Sequence, residues 1–136
     1  MVVLIVEDNT LLAYMIEDAL TERGHAVLGP AGKPAAAVLV EQTRPALALI
    51  DIDLEDDRTG VELARELRDR WGVPTLFATG QVATAKANFD LALGVIAKPF
   101  SPAAIVRSVE VAGRILRGDR DVDLPPELEL FGRPAG

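Results

Sequence analysis

Apolar residues along this chain alternate between two spacings. Five short runs are nearly unbroken: residues 2–6, 26–28, 46–50, 74–78 and 93–97. Between them, apolar positions recur every three or four residues. Residues 9–23 carry Leu11, Leu12, Met15, Ile16, Ala19 and Leu20, and the stripe stops at Gly24. That period predicts a helix. The same reading predicts helices over 33–43, with Val38 and Leu39 inward, and over 60–71, with Leu63, Leu67 and Trp71 on one face. Two more are predicted over 81–91, with Val82, Ala85 and Phe89, and over 101–117, with Ile105, Val109, Ala112 and Leu116. The second run, 26–28, is closed by Gly29-Pro30.

Strand and helix thus alternate five times. Continuous apolar runs imply strands covered on both faces, as in parallel sheets. Right-handed crossovers then give a doubly wound α/β sandwich. Residues 119–136 break the pattern: three prolines, two glycines and seven charged residues, with Leu124, Leu128, Leu130 and Phe131. This stretch is expected to be a tail with no output domain, docking a short segment around 128–131.

At 136 residues with 49 % apolar content, the chain suits one domain with a sizeable core. Net charge −7 and a pI near 4.7 argue against a nucleic-acid surface, which needs a basic footprint. The absence of cysteine excludes disulfides and thiolate sites and fits a reducing cytoplasm. One histidine, His25, cannot make a His-rich metal site. Residues 1–6 lack a basic flank and meet two acids at once, so they do not read as a signal peptide. No run approaches membrane-spanning length.

The ends of the runs carry the chemistry. The first meets Glu7-Asp8, the third Asp51, the fourth Thr79-Gly80 and the fifth Lys98-Pro99. In an open parallel sheet these ends share one edge, where ligands bind. Carboxylates, a hydroxyl and an ammonium would converge there, a set suited to Mg²⁺ and a phosphoryl group. Each piece also has an ordinary reading. Glu7, Asp8 and Asn9 suit a helix N-terminus, Asp51 a loop or cap, and Thr79-Gly80 and Lys98-Pro99 plain turns. The acids at 53 and 55–57 suit a solvated loop.

Taken in order, Glu7-Asp8, Asp51, Thr79 and Lys98-Pro99-Phe100 resemble the receiver domains of two-component response regulators. The resemblance covers residues 1–118 as a receiver domain and implies a flavodoxin-like five-stranded sheet of order 2-1-3-4-5. It implies Asp51 as phosphoacceptor and Mg²⁺ as cofactor. Asp8 and Asp51 would be direct ligands, Glu7 would act through water and Asp53 through its backbone carbonyl. Lys98 and Thr79 would each contact a phosphoryl oxygen. The implied protein is cytoplasmic and not an enzyme beyond its own phosphorylation and dephosphorylation. Its donor would be a sensor histidine kinase or histidine phosphotransfer protein. Its output would be a downstream protein contacting the 81–117 surface, with no nucleic acid or membrane partner. Val95 stands three residues before Lys98 where many receivers have Tyr or Phe. Phe77-Ala78-Thr79-Gly80 resembles the FATG motif of stand-alone receivers linked to HWE-type kinases. The segment after Asp51 lacks the common proline and is one residue longer. A phosphate sink or relay shuttle remains an alternative. So does a HAD-like phosphatase using Asp51-x-Asp53, although Glu55 does not match that motif and Glu7-Asp8 is unexplained by it.

Overall fold

The computed structural model describes residues 1–31, 33–52 and 60–132. Strands β1 (Val2–Val6), β2 (Ala26–Ala31), β3 (Leu47–Ile50), β4 (Thr75–Thr79), β5 (Gly94–Ala97) and β6 (Leu128–Leu130) form one sheet of order 2-1-3-4-5-6. The first five are parallel, in the expected order; β6 runs antiparallel to β5. Helices α1 (Thr10–Glu22), α2 (Lys33–Gln42), α3 (Gly60–Glu66), α4 (Val82–Ala87) and α5 (Pro102–Leu116) supply the crossovers.

Successive strand residues point to opposite faces, so each strand feeds two cores. Leu4, Val6, Ala48, Ile50, Phe77 and Val95 pack with Ala36, Val40, Leu63 and Ala85 of α2, α3 and α4. Val3, Ile5, Leu47, Leu49, Leu76 and Ile96 pack with Ile16, Leu20, Ile105 and Val109 of α1 and α5. Burial on both faces explains why the runs read as unbroken apolar stretches.

The structure corrects several expectations. To the five expected parallel strands the structure adds an antiparallel sixth, at the segment expected to dock around 128–131: Leu128 is buried and Glu-Leu-Glu-Leu at 127–130 alternates as a strand must. Strand β2 continues through Gly29-Pro30; at the sheet's edge, a proline without an N–H is tolerated. In α2 the inward stripe is Ala36 and Val40, one turn apart, while Val38 is 54 % exposed. The helix expected over 60–71 is α-helical only to Glu66. Leu67–Trp71 widens to a π turn, ended by Gly72 at φ +65°. The helix expected over 81–91 stops at Ala87, because the Asn88 side chain donates to the Thr84 carbonyl at 2.9 Å. Phe89 then falls in a 3₁₀ turn and is 57 % exposed. Leu116, at the end of α5, is also exposed.

Candidate functional site

Strands β1, β3, β4 and β5 end along one edge, and hydrogen bonds between neighbours lock the ends together. The Asp51 N–H donates to the Val6 carbonyl at 3.0 Å, and the Lys98 N–H to the Thr79 carbonyl at 3.0 Å. Main-chain register therefore delivers Glu7, Asp51, Thr79 and Lys98 to the same place.

The Lys98 ammonium bridges two carboxylates there. Its Nζ lies 2.8 Å from Asp51 Oδ2 and 2.7 Å from Glu7 Oε1. Asp51 is 5 % exposed and Glu7 9 %. Burial pushes the Lys98 pKa down, but Asp51 and then Glu7, by hydrogen bond and charge, outweigh it and hold the ammonium above the ordinary lysine value. The other Glu7 oxygen accepts the Asn9 N–H at 3.0 Å, and Asn9 Oδ1 caps α1 by accepting the Leu12 N–H at 3.0 Å. Residues 7–9 therefore start a helix and face the site at once.

Thr79 is fully buried, and its hydroxyl oxygen accepts the Gln81 N–H at 3.1 Å. Its proton remains available to an acceptor at the site. Asp8 is half-buried beside Glu7 in the sequence. Among the described residues, no group of three or more acids, histidines or cysteines is gathered closely enough to hold a metal. Asp53 and the acids at 55–57 lie outside the described residues.

The donor set nevertheless fits a small hard cation. Mg²⁺ needs one or two carboxylates and completes its octahedron with water and phosphate oxygens. A single ammonium touches both Glu7 and Asp51, so the two carboxylates are close enough to share one cation.

Gly60 is a residue of the site that the sequence did not mark. A Cβ there would collide with the Asp51 carbonyl oxygen. The signal available was its place as the first helical residue after the acidic stretch. A groove of about 620 Å³ lies elsewhere, at the opposite end of the sheet. Arg23, His25, Arg107, Glu110 and Arg114 line it. Within it Arg23 meets Glu110 at 3.0 Å and His25 Nε2 meets Glu110 at 3.2 Å, while Arg107 and Arg114 pair with Glu127 and Asp119.

A family model described as the response regulator receiver domain matches residues 3–110. The phyllosphere-induced regulator PhyR of Methylorubrum extorquens is 35 % identical over 108 residues, covering 76 % of this chain and 40 % of that protein. The DNA-binding response regulator MtrA of Mycolicibacterium smegmatis is 31 % identical over 137 residues, covering 90 % of this chain and 59 % of that one. The chain thus spans about half the length of these curated relatives. Among solved structures, the receiver domain of a modulated diguanylate cyclase from Desulfovibrio desulfuricans G20 superposes with a TM-score of 0.73 at 32 % identity, covering 85 % of this chain and 97 % of that one. A LuxR-family two-component response regulator from Aurantimonas sp. SI85-9A1 gives 0.74 at 27 % identity, covering 88 % and 86 %. Among the described residues, no helix is long and apolar enough to cross a membrane.

Proposed function

This chain belongs to the response regulator receiver domain family, and from that premise we propose that Asp51 accepts a phosphoryl group from a histidine kinase or a histidine phosphotransfer protein. The observation that carries this reading is the Lys98 ammonium held between the Asp51 and Glu7 carboxylates at the end of the central strand. An Asp51 carboxylate oxygen attacks phosphorus, the P–N bond to the donor imidazole breaks, and an acyl phosphate forms. Phosphoryl transfer asks the protein mainly for positioning and charge neutralisation. Mg²⁺, when bound, supplies neutralisation at the phosphoryl oxygens. In this reading Asp8 and Asp51 would be its direct ligands, Glu7 would act through water and Asp53 would offer its backbone carbonyl. Lys98 already faces Asp51 and follows the negative charge onto a phosphoryl oxygen. The Thr79 hydroxyl donates to another. An Asp51-x-Asp53 phosphatase would leave the Glu7–Lys98 contact without a role, whereas the receiver reading uses it.

The switch arises from the same residues. A phosphoryl group adds about −1.5 to −2 charge at neutral pH. Charge-assisted contacts from Thr79 and Lys98 are worth roughly 1.5–3 kcal/mol each. Inverting a 1:99 population needs about 5.5 kcal/mol. Lys98 already contacts Asp51 and Glu7, so the contact newly gained on phosphorylation is the Thr79 hydroxyl's, and Lys98 adds only what a phosphoryl oxygen gives beyond its present pairing. Val95 offers no ring to swing, so the moving element is the segment that Thr79 holds through Gln81, residues 80–92. Output passes to a protein partner at the α4–β5–α5 surface.

The test is incubation with acetyl phosphate and Mg²⁺, followed by mapping of the label by mass spectrometry. Label on Asp51, abolished by Asp51→Asn, is expected. Undiminished labelling of Asp51→Asn overturns the assignment.

A further inference from the structure

We propose that the outer edge of β5 is a groove for an extended acidic–apolar strand of a partner protein, and that β6 is the chain's own stand-in for it. The inference goes beyond phosphoacceptance and does not depend on it.

The groove is fitted to a strand. Gly94, Val95 and Ile96 pair antiparallel with Leu130, Glu129 and Leu128, and the Phe131 N–H donates to the Leu93 carbonyl at 2.8 Å. Gly94 is required for this approach, since a Cβ there would collide with the Glu129 carbonyl oxygen. Leu128 fills the α1/α5 core, and Phe131 leans on the opposite one. Each flanking helix offers a cation. Lys86 of α4 lies 3.4 Å from Glu129, and Arg107 of α5 lies 3.4 Å from Glu127. The occupant is thereby specified as an extended segment with leucine-like residues at alternate positions and acids between them.

The stand-in is held loosely. It is three residues long, at the short end of ordinary strand length. The Lys86–Glu129 pair is solvent-exposed, and such pairs contribute little. A longer strand of the same character, delivered by another protein, would add main-chain bonds along the same edge, the mode called β-augmentation. Residues 117–127 would then act as the tether that lets β6 leave.

The test uses the full chain, unphosphorylated, and a labelled peptide of residues 126–131 as probe. Leu128→Asp places a carboxylate in a buried position and should unseat β6. It should bind the peptide at least tenfold more tightly than the wild type, and adding Gly94→Ala should cancel that gain. Peptide in which both glutamates are replaced by lysine should bind at least tenfold more weakly. If Leu128→Asp does not fold, Glu129→Lys, which sets a like charge against Lys86, takes its place. Equal peptide affinity in the wild type and the unseated variant, with amide exchange showing residues 94–96 open in the latter, would overturn the groove. A wild-type dimer that the peptide dissolves would assign the edge to a second copy and overturn the partner assignment.

Discussion

Lys98 Nζ and Asp51 Oδ2 lie 2.8 Å apart, and the same ammonium is 2.7 Å from Glu7. One ammonium thus serves two buried carboxylates, and the acids outnumber it. Removing either partner therefore has unequal effects. Asp51→Asn leaves a one-to-one Lys98–Glu7 pair and is expected to cost less than about 1 kcal/mol. Lys98→Met leaves two buried carboxylates without the ammonium they share and is expected to cost about 3–5 kcal/mol. Urea unfolding of the two variants measures the difference; equal losses would show that Lys98 is not the charge that offsets them.

Magnesium should reverse part of that loss. A cation that binds only the folded state stabilises it by mass action. Added Mg²⁺ should raise the melting temperature of Lys98→Met more than that of the wild type, because the ammonium no longer competes for Glu7 and Asp51. In Asp8→Ala most of the magnesium effect should vanish. A magnesium-dependent shift unchanged by Asp8→Ala would place the ion elsewhere.

Thr79 couples the site to the start of α4 through the Gln81 N–H. Thr79→Ala is expected to accept phosphate yet lose the phosphorylation-dependent change over residues 80–92, and Thr79→Ser to retain it. Amide exchange with and without beryllofluoride checks this. Equal changes in wild type and Thr79→Ala would remove Thr79 from the coupling.

The pH dependence has two separate limbs. Lys98 is raised above 10.5, so its stabilisation is complete below that pH and is lost as pH rises through the higher folded value. The stability gap between wild type and Lys98→Met should therefore be flat up to about pH 10.5 and close above it. Glu110 behaves oppositely. Burial would raise its pKa, but Arg23 and His25 together lower it below 4.5. Its contribution is present above pH 4.5 and is lost as pH falls through the lower folded value. The gap between wild type and Glu110→Gln should close on acidification. Denaturant midpoints across the pH range test both.

Two buried hydroxyls, Thr75 Oγ1 and Ser108 Oγ, have no hydrogen-bond partner among the described residues. Each forfeits hydration without a replacement bond. Thr75→Val and Ser108→Ala should be neutral or should stabilise the fold by up to about 1 kcal/mol each. A loss of more than that in either would reveal a partner, such as a trapped water.

The site was legible because its residues end apolar runs, and run ends share an edge in any parallel sheet. Glu7, Asp51, Thr79 and Lys98 needed no more than that. The faces of the short helices were less legible. In α2, alanines and valines occur on all sides, so Ala36 and Val40 could not be told from Val38 by pattern alone, whereas Leu39 packs against the core as expected. Phe89 carried the helical period but is turned outward by a hydrogen bond of the neighbouring Asn88 side chain. Strand β6 was hidden by its length. Leu128 and Leu130 are too few to set a period, and the strand exists only because β5, more than thirty residues earlier, accepts it.

Gly60 gives the strand that carries Asp51 its final constraint. With no side chain, the first residue of α3 rests against the Asp51 carbonyl oxygen, and its N–H donates to the Ile52 carbonyl at 3.0 Å. The Asp51 main chain is thereby clamped between β1 on one side and the start of α3 behind it. The carboxylate's aim is fixed by a missing methyl group. A Gly60→Ala chain would keep every reactive group and still misdirect Asp51, the proposed nucleophile. Misalignments near 1 Å are known to slow positioned reactions about a hundredfold. A substitution outside the reactive set would then silence the signal while leaving Asp51, Lys98 and Thr79 all in place.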